Sequence, residues 1–332
     1  MTTQPLTSNR IDFDNANDVI EYYFQKGWTD GLPIVPPTAD RVQQFLDYVG
    51  RAPSEILGTE PTKGRVITVE KVAVNAVMAG CLPEYLPVVL AAIEAMCEPK
   101  FNLHAMTVST MGSAVLAVIN GPLARELEIN SGVGVFGPGH RANATIGRAI
   151  RLTIINVTGS IPGQLDKATL GHAGKYTMCI AEAEGSSPWE PLHVERGLSP
   201  DQSAVTVFAA LSPMQVANYH GNTPETILPA FHDAMFTAGY DQGELIILLA
   251  PEHVGFIGEA GWTKAQVKEF LSSGAVRADS ETGEMRAVAN APENLTVMVA
   301  GGTAGPFSDV IPLWGAGVGS QSVTREIQVP TQ

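Results

Sequence analysis

Chemically reactive side chains are concentrated in one segment, Gly174–Gly197, which reads GKYTMCIAEAEGSSPWEPLHVERG. The whole chain is only 16% charged, so a lysine, a thiol, an imidazole and several carboxylates in one short segment require an explanation. A cleft provides one, because burying unpaired charge without a function costs stability. We therefore interpret the segment as one wall of an active site. Its candidate catalytic residues are Lys175, Cys179, Glu182, His193 and Glu195, and its candidate substrate contact is Trp189.

The first part of this segment, KYTMCIAEAE, alternates in the manner of a β-strand. Clefts in open α/β sheets form outside the carboxyl ends of strands, which is where Glu182 would lie. His193 and Glu195 are two residues apart, so on a strand they would face the same side, as a hydrogen-bonded pair or as two metal ligands. Each residue also has a structural interpretation: a buried Cys179, a solvated Glu182 and a loop histidine.

A second candidate group lies in NAVMAGCLPEY, which contributes Asn75, Cys81, Glu84 and Tyr85. Cys81 follows Gly80 at a break between two predicted helices, where a helix N-terminus would lower the pKa of a thiol. We expect Cys81 to lie close enough to Glu182 and His193 to share one ligand, and to be alkylated faster than Cys97. The alternative is a helix-ending Gly80 followed by a buried cysteine.

Two glycine-rich turns are candidate anion sites. In GVFGPGHRANATIGRAIR, a turn at Gly137–Gly139 enters a helix that carries Arg141, Asn143 and Arg148, with Arg151 as a third cation, as a carboxylate or phosphate site would. In VAGGTAG, the backbone at Gly302 and Thr303 could hold an anion or an oxyanion. Tight turns with surface arginines are the alternative. Neither turn matches a Walker loop or G-x-G-x-x-G, so no nucleotide-cofactor motif is present.

The elements that must position these residues alternate between strands and helices, which predicts an α/β fold with mixed sheets. The segments LPEYLPVVLAAIEAM and TPETILPAFHDAM are alike, so we predict two similar lobes, produced by an internal duplication, around one cleft. The predicted divisions are 1–60 (N-terminal helices and a proline-rich arm), 61–200 (first α/β lobe) and 201–332 (second α/β lobe).

Composition narrows the function classes. The net charge is −14 and no run of Lys and Arg exists, which argues against nucleic-acid and anionic-membrane partners. The N-terminus has no apolar signal region, and three widely spaced cysteines are typical of a reducing compartment, so we expect a cytoplasmic protein with free thiols. Low charge with 33 glycines and 23 prolines favours a homo-oligomer, in which a partner covers apolar surface.

The phrases GWTDGLPIVPPT, NAVMAGCLPEYLPVVLAAIEAM, FGPGHRANATIGRAIRL and the opening segment together resemble one bacterial family. That family is associated with the UGSC-motif (seleno)proteins, which are named for a Cys/Sec-Gly-Ser-Cys motif. The resemblance extends from about Gly27 to Gly302. The resemblance transfers no catalytic role. This chain has no C-G-S-C, so any redox dithiol that the reaction needs would come from a thiol or selenol partner protein.

These observations predict an enzyme, of lyase or hydrolase type, that acts on a small anionic metabolite by acid/base or thiol chemistry. Two alternatives stay open. One is a subunit of a reductive-cleavage system that works with a dithiol or selenoprotein partner. The other is a metal-dependent enzyme that uses His193 and Glu195 with a distant histidine such as His172 or His220. The sequence names no cofactor.

Overall fold

The computed structural model describes residues 5–237, 243–278, 282–289, 291–315 and 319–330. Its α-helices in these ranges are α1 (Ala16–Lys26), α2 (Ala39–Val49), α3 (Val69–Ala79), α4 (Leu86–Met96), α5 (Leu103–Thr107), α6 (Pro122–Glu126), α7 (Arg141–Thr153), α8 (Leu192–Glu195), α9 (Pro224–Ile227), α10 (Pro229–Thr237), α11 (Pro251–Glu259) and α12 (Lys264–Gly274). Its strands are β1 (Ile56–Glu60), β2 (Arg65–Thr68), β3 (Ala114–Asn120), β4 (Cys179–Ala181), β5 (Ala204–Ala210), β6 (Met214–Ala217), β7 (Leu245–Leu249), β8 (Val276–Ala278), β9 (Met285–Ala287), β10 (Leu295–Val299), β11 (Phe307–Pro312) and β12 (Val323–Glu326).

Local sequence signals explain several helix boundaries. Asn15 and Thr38 accept hydrogen bonds from backbone amides of the first turns of α1 and α2, as N-cap residues do. Thr263 forms a capping box with Gln266 at the start of α12. Each of these helices begins where the cap and apolar spacing predict.

Two four-stranded mixed sheets organise the chain. The first has the order β12-β5-β3-β4 and the second the order β10-β7-β11-β6. In each sheet one parallel pair, β3 with β4 or β7 with β10, is extended by antiparallel strands. The predicted α/β class with mixed sheets is therefore confirmed.

Four layers result from the packing of these sheets. The outer face of the first sheet packs against α4 and α7, and α3 packs against both of these helices. The outer face of the second sheet packs against the helices from α9 to α12. The inner faces pack against each other through apolar side chains, among them Leu116, Ile180, Phe208, Ile246 and Met298. The two sheets, rather than the two predicted lobes, thus meet through a hydrophobic layer.

The two sheets exchange strands along the chain. Strand β6 follows β5 but belongs to the second sheet, and β12 follows β11 but belongs to the first. The predicted boundary at residue 200 therefore falls between β4 and β5, which belong to one sheet. The shared strand order is what an internal duplication would produce, and the duplication itself stays a prediction.

Candidate functional site

The segment Gly174–Gly197 reaches both ends of β4 rather than forming one wall. Lys175 ends a 3-10 turn, Ala173–Lys175, before the strand, and Glu182 follows the strand directly. Lys175 contacts Ser113 at the amino end of β3, whereas Glu182 contacts Asn120 at its carboxyl end. These ends are about 20 Å apart, at about 3.3 Å per residue. Lys175 and Glu182 therefore belong to two separate groups.

The first group surrounds a small surface pocket that we call the basic pocket. Its lining includes Ser113, Gly147, Ile150, Arg151, Gly174 and Lys175. Its open space has room for about one water molecule, so it would accept a single small group of a ligand.

Two cations of the basic pocket meet at one oxygen. Arg151 Nη2 and Lys175 Nζ each lie 2.8 Å from Oδ2 of Asp166. The backbone N–H of Ala168 donates to Oδ1 of the same carboxylate. The side chains of Arg151 and Lys175 are only 12% and 17% exposed. With Lys175 protonated, two cations against one carboxylate leave an excess positive charge beside the pocket, which favours an anion.

The segment before β4 fixes this arrangement. The backbone N–H of Thr169 donates to the carbonyl of Thr110, which ties the segment to the chain that leads into β3. Asp166 is buried and Leu170 is almost fully exposed. The segment therefore turns its carboxylate inwards, towards the end of α7, where Arg151 lies.

The surroundings of Lys175 make its proton easier to remove. Burial lowers the pKa of Lys175, and the nearby charge of Arg151 lowers it further, while Asp166 acts in the opposite direction. For Asp166, burial alone would raise the pKa, but the hydrogen bonds that it accepts lower it overall. The pair is thus an ionised aspartate beside a lysine that releases its proton more readily than an exposed lysine does.

The second group, the carboxyl-end cluster, consists of Asn120, Glu182, Glu184 and His193. Asn120 Nδ2 donates to Glu182 Oε2 at 2.6 Å and to Glu184 Oε1 at 3.1 Å. His193 Nδ1 lies 3.9 Å from Glu184 Oε1. Asn120, Glu182 and His193 are buried, and burial raises the pKa of Glu182 and lowers that of His193. The cluster contains groups suited to acid–base chemistry, but three of its four side chains are sealed from solvent.

A glycine positions Glu184 in this cluster. Gly121 N donates to Glu184 Oε1 at 2.7 Å. Gly121 has φ 86°, and a Cβ at this residue would lie 2.3 Å from the carbonyl oxygen of Gln202. A residue with a side chain would therefore clash here, which explains the glycine at the end of β3.

The expectation of a reactive Cys81 is wrong. Cys81 is buried, and its Sγ donates to the carbonyl of Thr145 at 3.3 Å. Burial raises its pKa to about 12, which outweighs the opposing effects of Arg141 and Arg148. Burial likewise raises the pKa of Cys179 in β4. Neither thiol is poised as a nucleophile.

The order of alkylation should therefore be the reverse of the one that the sequence predicted. We expect a small alkylating reagent to modify Cys97 of the folded protein first, because Cys97 is partly exposed while Cys81 and Cys179 are buried. Burial raises the pKa of Cys97 to about 11, so the reaction should be slow. Mass spectrometry of timed samples checks the order, and faster labelling of Cys81 would contradict it.

The arginines of α7 are engaged within the protein. Arg148 forms a two-pronged ion pair with Asp30, with N–O distances of 2.7 and 2.9 Å, and also donates to the carbonyls of Leu32 and Pro33. Arg141 donates twice to the carbonyl of Gly80. Arg148 thus fastens the proline-rich arm instead of facing a free anion site. Among the arginines of α7, the one that lines the basic pocket is Arg151, one turn further along the helix.

The remaining polar candidates of the first lobe lie outside the basic pocket, and two of them have structural partners. Asn143 links the backbone of Asn130 to the carbonyl of Cys179, and Asn75 pairs with Asn156 and with the carbonyl of Lys71. Tyr85 is buried and Glu84 is exposed, both within the 3-10 turn Pro83–Tyr85. None of these four residues lines the basic pocket.

His193 and Glu195 do not face the same side. They lie on α8, where residues two apart point in nearly opposite directions, and not on a strand. Glu195 pairs with Lys264 at 2.8 Å and with Lys268, while His193 faces Glu184. His172 lies instead beside Gly174. Within the described part of the chain, no three His, Cys, Asp or Glu side chains come together as metal ligands would.

Three further candidate residues, in two regions of the chain, lie in or against the second lobe. Trp189 Nε1 donates to the carbonyl of Trp262, and the ring of Trp189 packs against the apolar core between the second sheet and its helices. Gly302 lies against Val133, and Thr303 is exposed. None of these three residues lines the basic pocket.

Sequence reasoning missed Ser113, Asp166 and Asn120 and treated Arg151 only as an additional cation. Asp166 stands in a polar loop, GQLDKA, without a local signal that it pairs with distant residues. Asn120 ends an apolar strand just before Gly121 and Pro122, and a polar residue at such a strand end is a signal that could have been used.

Comparisons of the chain with family models, with curated proteins and with solved structures found no match. The resemblance to the UGSC-associated family therefore stays a prediction. None of the helices in the described ranges has the length and apolar character of a membrane span.

Proposed function

We propose that this protein is an acid–base enzyme of lyase or hydrolase type that binds a small anionic substrate in the basic pocket. One observation carries the proposal: Arg151 and Lys175 line a small pocket while sharing a single buried carboxylate. The carboxyl-end cluster has comparable chemistry but no comparable access.

The residues divide the work by their chemistry. Arg151 would bind the anionic group of the substrate through the N–H donors of its planar guanidinium. Lys175 would move a proton to or from the reacting atom, since burial lowers its pKa towards the working range of an acid–base group. Asp166 would hold both cations in place, and transfer of the Lys175 proton would leave it paired with Arg151.

The other predicted chemistries receive less support from this chain. A reductive reaction would need its thiols from a partner protein, because Cys81 and Cys179 are buried with raised pKa values. A metal reaction would need ligands besides His193 and Glu195, which lie in separate contacts. A redox partner, a homo-oligomer and a cytoplasmic location stay predictions.

The test is a screen of small carboxylic acids and phosphate monoesters, by thermal shift and then by product analysis. We expect Lys175→Met to lower the turnover of any substrate found by about 100-fold or more, the usual contribution of an acid–base group. Lys175→Arg should keep substrate binding but not turnover, because arginine does not release its proton.

Lys167→Met is the matched control. Lys167 follows Asp166 in the part of the chain that leads to β4. It is exposed and donates to the carbonyl of Gly163. Its replacement should leave turnover unchanged. Wild-type turnover in Lys175→Met would refute the role of Lys175.

A further inference from the structure

Two buried oxygen atoms in the carboxyl-end cluster have no hydrogen-bond partner. They are Oε1 of Glu182 and Oδ1 of Asn120. Both residues are at most 4% exposed. Asn120 Nδ2 faces carboxylate oxygens of both Glu182 and Glu184, which fixes the orientation of the amide because Oδ1 would be repelled there.

The two groups are already joined by half of a reciprocal contact. Asn120 Nδ2 donates to Glu182 Oε2 at 2.6 Å, and the unpartnered atoms are the other oxygen of each planar group. An ionised carboxylate only accepts, so two unpartnered acceptors would remain in the core at a cost in free energy. A proton on Oε1 turns one of them into a donor to the other and satisfies both.

The charges around Glu182 come from several elements. Glu184 lies on the same segment, shares Asn120 with Glu182 and favours the neutral acid. Lys264 on α12 favours the ionised form, but its Nζ is bound by Glu195 and by the carbonyl of Glu190. His193 on α8 faces Glu184, and Arg125 on α6 is largely exposed. Burial and Glu184 together outweigh Lys264.

We propose that Glu182 is a neutral carboxylic acid whose Oε1–H donates to Asn120 Oδ1, forming a pH-sensitive latch between β3 and the start of α8. The latch has two ends. Glu182 Oε2 also accepts from the backbone N–H of Leu192 at 2.8 Å, so one side chain holds Asn120 and the first residue of α8. Loss of the proton would place two acceptors against each other and loosen this connection.

The direction of the pH effect follows from the raised pKa. Burial raises the pKa of Glu182 above its unfolded value of 4.5. The stability contributed by the neutral acid is therefore complete below the unfolded pKa and is lost as pH rises through the folded pKa. Within that window the unfolding equilibrium constant should rise by about tenfold per pH unit.

Glu182→Gln tests the latch. In this variant the amide N–H of the glutamine takes the place of Oε1–H, and the amide oxygen takes the place of Glu182 Oε2, which accepts from Asn120 and Leu192. We expect this variant to fold, and to lack the increase in the unfolding constant that the wild type shows above pH 4.5. Infrared spectra of the wild type just above pH 4.5 should contain a protonated carboxyl band that Glu182→Gln loses.

Asp309→Asn is the control for that assignment, since burial also raises the pKa of Asp309. The band of Glu182 should persist in Asp309→Asn. The proposal is overturned if Glu182→Gln fails to fold, if it keeps the pH dependence of the wild type, or if no carboxyl band depends on Glu182.

Discussion

Replacement of Arg148 by alanine should lower the free energy of unfolding by about 3 kcal/mol, because it leaves a buried carboxylate without its partner. The Asp30 side chain is only 3% exposed and accepts both prongs of the guanidinium. The same guanidinium binds the carbonyls of Leu32 and Pro33. The variant therefore also loses the attachment of the proline-rich arm to α7. Denaturant unfolding measured by circular dichroism gives the value.

Arg141→Ala is the matched control on the same helix. Arg141 is exposed and binds a single carbonyl, that of Gly80, so its removal should cost no more than about 1 kcal/mol. Equal stabilities of the two variants would contradict the structural role of Arg148. Weakened anion binding by a fully stable Arg148→Ala protein would instead return it to the candidate site.

Replacement of Phe208 by alanine should cost about 3–5 kcal/mol, the usual range for removing a buried aromatic ring. Phe208 on β5 has no exposed surface and lies in the apolar layer where the two sheets face each other. The packing of the two sheets then depends on this layer, so the variant should also bind hydrophobic dyes more strongly. Thermal and denaturant unfolding measure the loss.

Phe307→Ala provides the comparison. Phe307 is 38% exposed and has an edge-to-face contact with Tyr219, so we expect a loss of about 1 kcal/mol. If Phe208→Ala lowered the free energy of unfolding no more than Phe307→Ala does, the apolar layer would not hold the two sheets together.

Local patterns in the sequence predicted only part of the elements, since the strand expected over KYTMCIAEAE is confined to Cys179–Ala181. The alternation in KYTMCIAEAE placed Met178 and Ile180 on one side and Cys179 and Ala181 on the other, and these pairs lie in different cores. The strand exchange of β6 and β12 could not be predicted, because strand pairing between distant segments leaves no local periodicity.

The candidate site was harder to predict for the same reason. Helix-end electrostatics suggested an activated Cys81, but burial dominates its pKa, and burial is a tertiary property. Asp166 binds both Arg151 and Lys175, which belong to different elements. Nothing in the sequence near Asp166 reveals these two contacts. Lys175 lines the basic pocket, whereas its expected neighbours, Glu182 and His193, lie at the other end of β3.

We infer that the basic pocket binds the anionic group of a substrate. A crystal structure determined with a small carboxylate or inorganic phosphate that binds in solution tests this most directly. We expect the anion in the pocket, within hydrogen-bond distance of Lys175 Nζ and Arg151, and we expect it to be absent from crystals of Arg151→Met. An anion bound elsewhere while the pocket stays empty, or retained in Arg151→Met, would contradict it.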